Sequence, residues 1–548
     1  MARSAPAALA GLACVALVAW FWVRGERAIA ANSPTFDEAV HLTAGYAYWT
    51  TGSFQMNRED PPLMKLLWAV PLLFGERLEY PHDVAEATND DHWHVSTAFV
   101  ARAGVPPPEL FAGPRRVNLV LGCCVVLLCA WWAYRLWGSP LAAAVACAFA
   151  AHEPTLLALS CVLTTDAGLA LFVLLSTYLL WEYAARPTRG LLVACGVALG
   201  LSLASKFSAL AAVLGLFAAA ALFVARGGTL ALPGTEGGAH RGRAFGEFAF
   251  RLGLITGVVL LLAYGVIHFV EWGLGLRFQL TRGGHGVMYL NGQLSRTGWL
   301  HYFAVLLPLK LPLGLIVAAL LSALSGRADR VPRVALFAVP PLVFFVLASL
   351  SRVDLGARVV LPVIPFVCVL AAGLATSVCC ALAGRILVFS CVAWAGISAV
   401  RAEPYPIAYF NEIAGAPRGA MRFAADSNLD WGQGLLALRD FMRAEQLDSV
   451  YLSYFGTDRP GAYGIRFHPL PTYGRVGESG GEDIPASAPR HVVVVSANNL
   501  LGIYLHDPDT FAFLRAREPI AVLARSLFVY DLTRDPAALA RVRALPRQ

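Results

Sequence analysis

Two adjacent carboxylates, Asp37 and Glu38, follow the first apolar segment of the chain and are well suited to acid–base chemistry. A carboxylate held at a membrane surface, where water is partly excluded, can take a proton from a hydroxyl group. On a helix the two side chains diverge by about 100°, so one can be the base while its neighbour binds or orients. The alternative is structural, with Thr35 or Asp37 capping a helix over residues 36–49.

Four further charged residues lie in or beside apolar runs, where charge is costly and points to function: Asp166, Lys206, Lys310 and Arg358. Lys310 lies inside its run and needs a partner, for which a lipid phosphate is suitable. The others have simpler alternatives. Asp166 can cap a helix, Lys206 can extend its amine towards the membrane surface, and Arg358 can pair with Asp354.

A glycine-rich loop at residues 282–286 contains Arg282 and His285. Its cations and exposed backbone N–H groups are the groups that bind anions. Flexibility explains the glycines equally well, so His285 is a candidate phosphate contact on a weak pattern.

The composition indicates a membrane protein. The 548 residues are 57% hydrophobic and only 14% charged, with a mean hydropathy of +0.59, whereas soluble proteins average about 25% charged residues. The net charge of +7 comes from arginines in short connections, without a basic patch for nucleic acid. The eleven cysteines lie in apolar runs and lack the spacing of a zinc site.

A span of about 20 apolar residues predicts about eleven transmembrane helices. The predicted ranges are 5–23, 117–135, 139–157, 161–183, 188–204, 206–225, 250–271, 301–324, 333–351, 355–376 and 382–400. A signal peptide ending near Ala30 is the alternative for the first range, but charged residues separate its apolar core from that site.

Loop charge predicts the orientation. With a cytoplasmic N-terminus, every inside loop is basic, as the positive-inside rule requires. The arginines concerned are Arg135, Arg186, Arg189, Arg226, Arg241, Arg243, Arg327, Arg330, Arg333 and Arg385. An odd number of spans then places residues 401–548 outside, together with the long loop 24–116.

The outer segments have patterns of their own. Residues 36–49 and 61–74 predict two helices lying in the membrane interface. Strand-like runs at 449–455, 491–496 and 521–532 predict a small α/β domain over residues 401–548, after a membrane domain over residues 1–400.

Several ordered motifs resemble the GT-C glycosyltransferases that use polyprenyl-phosphate sugars. The similar branch contains protein O-mannosyltransferases and lipid A aminoarabinose transferases. The motifs are Phe36-Asp37-Glu38, Asp60-Pro61-Pro62-Leu63-Met64-Lys65, Thr164-Thr165-Asp166, Ser205-Lys206-Phe207, the stretch from Tyr289-Leu290-Asn291-Gly292 through Gly298-Trp299 to Lys310, and Arg358 with Leu361-Pro362. The tail motifs Tyr409-Phe410-Asn411-Glu412 and Asp426-Ser427-Asn428-Leu429-Asp430-Trp431-Gly432-Gln433 are similar to those of bacterial members. The family pattern has a histidine where this chain has Asp60.

The resemblance implies a role for each candidate residue. Asp37 would be the general base, and Glu38 would position the donor or acceptor. Asp166, Lys206, His285, Lys310 and Arg358 would bind the donor, with Lys310 and Arg358 the most plausible phosphate ligands. A direct displacement would invert the sugar carbon, and the cations would stabilise the leaving phosphate.

The resemblance also implies the partners and the location. The donor would be a polyprenyl-phosphate sugar and the acceptor an extracytoplasmic protein, lipid or glycan. No cofactor is required, although a divalent metal is compatible. The protein would lie in a bacterial inner membrane, with its active site and C-terminus extracytoplasmic, and would serve glycosylation of proteins or other parts of the cell envelope.

Two other functional classes remain open at this stage. A transporter or flippase for a lipid-linked or small polar substrate is the main alternative, although the sequence shows no symmetry between two halves and its notable polar residues favour one face. A scaffold whose tail binds partners is the third, and it would leave Asp37 and Glu38 without a chemical role.

Overall fold

The structure is a computed structural model that describes residues 4–75, 77–88, 91–232, 241–281, 286–325, 333–378, 381–415, 417–473, 484–485 and 487–546. Helices make up most of the chain before the tail. The first eleven are α1 (Ser4–Ala31), α2 (Glu38–Thr51), α3 (Leu63–Ala69), α4 (His82–Ala87), α5 (His92–Arg102), α6 (Pro107–Trp137), α7 (Pro140–Ala151), α8 (Pro154–Ser160), α9 (Asp166–Tyr183), α10 (Arg189–Ser205) and α11 (Ala209–Ala225).

The next elements are α12 (Arg241–Tyr264), α13 (Phe269–Thr281), the hairpin of β1 (Met288–Leu290) and β2 (Gln293–Ser295), α14 (Tyr302–Lys310), α15 (Leu313–Leu324), α16 (Val334–Ser351), α17 (Ile364–Ala371), α18 (Leu374–Val378) and α19 (Leu382–Ala402). A 3₁₀ helix, Ala357–Val363, leads into α17.

In the described part of the chain, six helices are long and apolar enough to cross a membrane, or eight if each of two bent pairs is one span. The protein is therefore a mostly helical, multi-pass membrane protein. Each of the eleven predicted ranges contains a helix, but α10 and α11 have only 17 residues each, short of the usual span of about 20. The count of about eleven stays a prediction.

Two helix breaks shape the membrane part. The axes of α7 and α8 meet at 63°, and those of α14 and α15 meet at 111°. Proline follows each break, at Pro154 and Pro312, and it disfavours a helical conformation in the residue before it. The second break is stabilised by Asn411, whose side-chain amide donates to the carbonyl oxygens of Pro308 (2.5 Å) and Leu311 (2.9 Å).

The two predicted interfacial helices correspond to α2 and to α3 with its 3₁₀ extension Val70–Leu73. Helix α2 differs from the expectation in its surroundings, because most of its residues are buried. It packs mainly against α3 and α5. Protein therefore surrounds the helix that follows Asp37.

The tail contains a five-stranded sheet in the order β4-β3-β5-β7-β6. Its elements are α20 (Pro417–Ala420), α21 (Leu435–Ala444), β3 (Val450–Ser453), β4 (Phe467–Pro469), β5 (Val492–Ser496), α22 (Ala497–Leu500), α23 (Ala512–Arg515), β6 (Ala521–Leu523), β7 (Leu527–Asp531) and α24 (Pro536–Arg543). Strand β3 is parallel to β4 and β5, whereas β7 is antiparallel to β5 and β6.

Each of the three predicted runs contains strand structure, and two details differ from the prediction. The run 521–532 forms two strands, because Ala524 and Arg525 turn the chain with positive φ angles. Strand β4 had not been predicted. One apolar cluster joins Tyr302 and Phe303 of α14 to Val493 and Phe528 of the sheet, so the tail packs on the membrane part. The domain division at residue 400 stays a prediction.

Candidate active site

Asp37 immediately precedes α2, and its side chain makes no capping hydrogen bond to that helix. Its Oδ2 instead accepts a hydrogen bond from Nη1 of Arg358 at 3.1 Å, and 28% of the side chain is exposed. The positive end of the helix dipole favours a carboxylate at this position. The geometry therefore does not support the helix-cap alternative for Asp37.

Glu38 has a different environment, because it is 1% exposed. One oxygen accepts from Arg115 Nε (2.8 Å) and Leu163 N (2.9 Å), and the other accepts from Arg115 Nη2 (2.6 Å) and Thr35 N (2.7 Å). This network ties the start of α2 to α6 and to the segment before Asp166. Glu38 is thus placed to fix the position of Asp37, and Arg115 is a partner that sequence reasoning missed.

Arg358 lies in the 3₁₀ helix after Gly356. Glycine is required there, because φ is +105° and a Cβ would lie 2.6 Å from the hydroxyl oxygen of Ser427 in the tail. The guanidinium carbon lies 4.5 Å from the ring centroid of Trp431, within cation–π distance. Arg358 therefore lies between a carboxylate of the first loop and an aromatic ring of the tail. The alternative, a simple pair with Asp354, is not the arrangement seen.

Asp166 and Lys206 form an ion pair of 2.5 Å, in which the carboxylate is buried and the amine is partly exposed. Thr164 also donates to Asp166. Asp60 lies nearby, with Oδ2 3.7 Å from Nε2 of His41. Although burial raises the pKa of Asp60, the contact with His41 and the charge of Lys206 hold it below its ordinary value.

The structure does not place two of the predicted donor ligands, Lys310 and His285, beside the pair of Asp37 and Arg358. Nζ of Lys310 donates to the carbonyl oxygens of Ile407 and Asn428, both at 2.9 Å, and lies over the ring of Phe410. In this structure Lys310 therefore holds the tail against α14, and a phosphate contact stays a prediction. His285 lies outside the described residues.

The tail motif at 426–433 builds the other side of the site, which the sequence did not reveal. The backbone oxygen of Trp431 accepts from Phe36 N at 2.9 Å, and that of Gln433 accepts from Ser33 N at 3.2 Å. The side-chain oxygen of Asn428 accepts from Ala357 N at 2.9 Å. One tail segment thus binds both the loop before Asp37 and the residue before Arg358.

The arrangement combines a partly exposed carboxylate with a partly exposed cation that can attract an anion. The described residues contain no group of three or more His, Cys, Asp or Glu side chains arranged to hold a metal ion.

Comparison with known proteins identifies a family match and several similar structures. Residues 12–269 match the dolichyl-phosphate-mannose-protein mannosyltransferase family. The chain is similar to ArnT from Cupriavidus metallidurans in the apo state, at 15% identity and a TM-score of 0.47 over 97% of this chain and 98% of that one. The same ArnT bound to undecaprenyl phosphate is similar at 16% identity and a TM-score of 0.45, over 94% of this chain and 97% of that one.

The yeast S. cerevisiae protein O-mannosyltransferase Pmt1-Pmt2 complex bound to the sugar donor is also similar, at 20% identity and a TM-score of 0.35 over 53% of this chain and 40% of that one. No curated protein sequence matches the chain.

Proposed function

Since residues 12–269 match the dolichyl-phosphate-mannose-protein mannosyltransferase family and the chain is a GT-C glycosyltransferase of that branch, we propose that it moves a sugar from a polyprenyl phosphate to an acceptor hydroxyl. The observation that carries the proposal is the pair of Asp37 and Arg358. These two side chains are partly exposed, whereas the Glu38 and Asp166 carboxylates are buried in ion pairs.

Asp37 acts as the general base. Its carboxylate takes the proton of the acceptor hydroxyl while the hydroxyl oxygen forms a bond to the anomeric carbon of the sugar. The bond between that carbon and the phosphate oxygen breaks, and its electron pair stays on the phosphate. A single displacement of this kind inverts the configuration at the sugar carbon.

Arg358 binds the donor phosphate and stabilises the charge that it gains as it leaves. In the free protein the guanidinium pairs with Asp37. The donor phosphate is a diester with one negative charge, as a carboxylate has, so it competes with Asp37 for the guanidinium. The phosphate gains a second negative charge as its bond to the sugar breaks, which strengthens its hold on Arg358 and leaves Asp37 free to take the acceptor proton. Because Arg358 supplies the positive charge, we propose that no metal is required.

The remaining candidates act by position or by charge. Glu38 fixes the start of α2 through Arg115. Lys206, whose amine is partly exposed beside Asp166, adds a second positive charge on the donor's side. We propose that this site faces away from the cytoplasm in a bacterial inner membrane, because every predicted inside loop is basic.

The experiment is a transfer assay with purified full-length protein in lipid nanodiscs. It uses radiolabelled polyprenyl-phosphate sugars and a membrane extract as the source of acceptors. The proposal predicts a labelled product together with released polyprenyl phosphate. If proteoliposomes instead move the intact lipid-linked sugar across the bilayer without cleaving it, the protein is a flippase and the proposal is wrong.

A further inference from the structure

The tail contributes a carboxylate, Asp426, whose backbone is held in an unusual conformation. Its φ of +58° lies in the left-handed region, which favours glycine over other residues. The side-chain oxygen of Asn498 accepts from Asp426 N at 2.7 Å and helps to hold this geometry. The fold thus keeps this aspartate beside the candidate active site.

The Asp426 carboxylate has hydrogen-bonding capacity left over. Oδ1 accepts from Ser427 N at 2.6 Å, and Oδ2 accepts from the Tyr504 hydroxyl at 2.6 Å. A carboxylate offers about four lone-pair positions, so about two remain for a ligand. Asp426 also interacts electrostatically with Arg358 and Asp37, so it borders the pair proposed to act on the donor.

Four aromatic rings form a raft next to this carboxylate: Phe36, Phe455, Tyr473 and Tyr504. Their planes lie within 12° to 30° of parallel, with centroids 5.0 to 6.5 Å apart. Phe36 precedes Asp37 directly, and the other three rings come from the tail. Phe455 is buried, whereas Tyr473 is 48% exposed. The raft therefore runs from the proposed base to the surface.

A sugar ring fits this combination of groups. Its C–H faces pack on flat aromatic rings, and its hydroxyl groups can donate to a carboxylate and to the oxygen of a phenol. A fatty acyl chain would leave the remaining lone-pair positions of the carboxylate without a hydrogen-bond donor. Specific small-molecule sites commonly combine an apolar lining with a few polar groups of this kind.

We infer that Asp426, Tyr504 and Tyr473, the exposed ring of the aromatic raft, form a subsite for a sugar ring, supplied by the tail. The inference rests on the proposed function. The sugar has two possible sources, the donor or a glycan acceptor. In the donor it is attached directly to the phosphate that Arg358 binds, and Asp426 interacts electrostatically with Arg358.

The test compares Asp426→Asn, Tyr504→Phe and Tyr473→Ala with the wild-type protein and with Asp448→Asn, a control at an exposed tail position. Binding is measured for a polyprenyl-phosphate sugar and for polyprenyl phosphate without sugar. A donor-sugar subsite predicts about tenfold weaker binding of the sugar-bearing lipid, the effect of one lost hydrogen bond. Binding of the sugar-free lipid should be unchanged.

A glycan-acceptor subsite predicts a different result, in which donor binding is unchanged and KM for a glycan acceptor rises. Equal losses for both lipids would mean that Asp426 acts only through Arg358, and no loss in any variant would mean that the raft is packing alone. Either outcome overturns the inference. The proposed function fails separately, if the wild-type protein transfers no sugar.

Discussion

At the residue scale, the role proposed for Arg358 depends on two contacts of its side chain. Its guanidinium contacts the carboxylate of Asp37 on one side and the ring of Trp431 on another. A planar guanidinium can keep the aromatic contact while it exchanges one anion for another, which a lysine amine does less well. The proposed role therefore requires both the charge and the planar shape of arginine.

The first prediction concerns this residue. Arg358→Ala removes a charge-assisted hydrogen bond worth about 1.5–3 kcal/mol, so the affinity for polyprenyl phosphate should fall about 10- to 100-fold. Arg358→Lys keeps the charge but loses the planar contact with Trp431, and its affinity should be intermediate. Lipid binding to the purified variants measures both, with the exposed Arg352→Ala as the control. Wild-type affinity in Arg358→Ala would remove the phosphate assignment.

Most of the individual site residues could be predicted from the sequence, because a charged residue stands out in an apolar chain. Asp37, Asp166, Lys206 and Arg358 were recognised in that way, and the structure pairs them. The pairings themselves could not be predicted, since Asp37 and Arg358 lie 321 positions apart. For the same reason Arg115, the partner of Glu38, was missed.

At the scale of elements, two tail segments form hydrogen bonds with the membrane part, one at a helix break and one at the start of a helix. Asn411 satisfies carbonyl oxygens at the break between α14 and α15, and Asn428 binds the start of the 3₁₀ helix that carries Arg358. The sequence supplied both motifs and, by resemblance, their family. It gave no structural role to either, because the role depends on helix ends that are distant in the chain.

Asn411→Ala provides the second prediction. The change leaves the carbonyl oxygen of Leu311, in a buried hydrogen bond, and that of Pro308, in a partly buried one, without this donor. A buried group left unpaired costs about 1–3 kcal/mol. The purified variant should lose its structure at a lower temperature in detergent, as followed by intrinsic fluorescence. Gln293→Ala, at an exposed position, is the control. An unchanged transition would mean that other donors replace Asn411.

The third prediction concerns pH. Burial raises the pKa of Asp430 to about 7, against the opposing effect of the backbone N–H groups of Asn498 and Gly432. The folded protein therefore binds a proton that the unfolded chain has already released above about pH 4. Stability should fall as pH rises from about 4 to about 7, the window in which only the folded state is protonated.

Asp430→Asn tests this expectation, because an amide cannot ionise. The thermal transition of the wild-type protein should occur at a lower temperature at pH 8 than at pH 5, and the difference should be smaller in the variant. Equal differences in the two proteins would show that Asp430 does not titrate in this range.

At the scale of the whole molecule, the first loop and the tail meet. Hydrogen bonds join Ser33 and Phe36 to Gln433 and Trp431, so these segments must lie on the same face of a membrane that the helices cross. Loop charge had predicted the same arrangement. The family match over residues 12–269 confirms the resemblance seen in the motifs, whereas the outward orientation stays a proposal.

The fourth prediction tests that orientation in intact cells. Cysteines placed at His94 in the first loop and Asp448 in the tail, both exposed, should react with an impermeant thiol reagent. A cysteine at Thr188, in a predicted inside loop, should react only after the cells are opened. Labelling of Thr188→Cys alone would reverse the orientation.

The central claim is that Asp37 removes the proton of the acceptor hydroxyl. Asp37→Asn keeps the size of the side chain but cannot accept that proton, and general-base catalysis is typically worth about 10²–10⁴-fold. The decisive measurement is the rate of sugar transfer by the Asp37→Asn protein at saturating donor and acceptor, with lipid-phosphate binding measured alongside. The account predicts a rate lower by that factor with donor binding retained. A near-normal rate would contradict it and would leave Asp166 as the next candidate for the base.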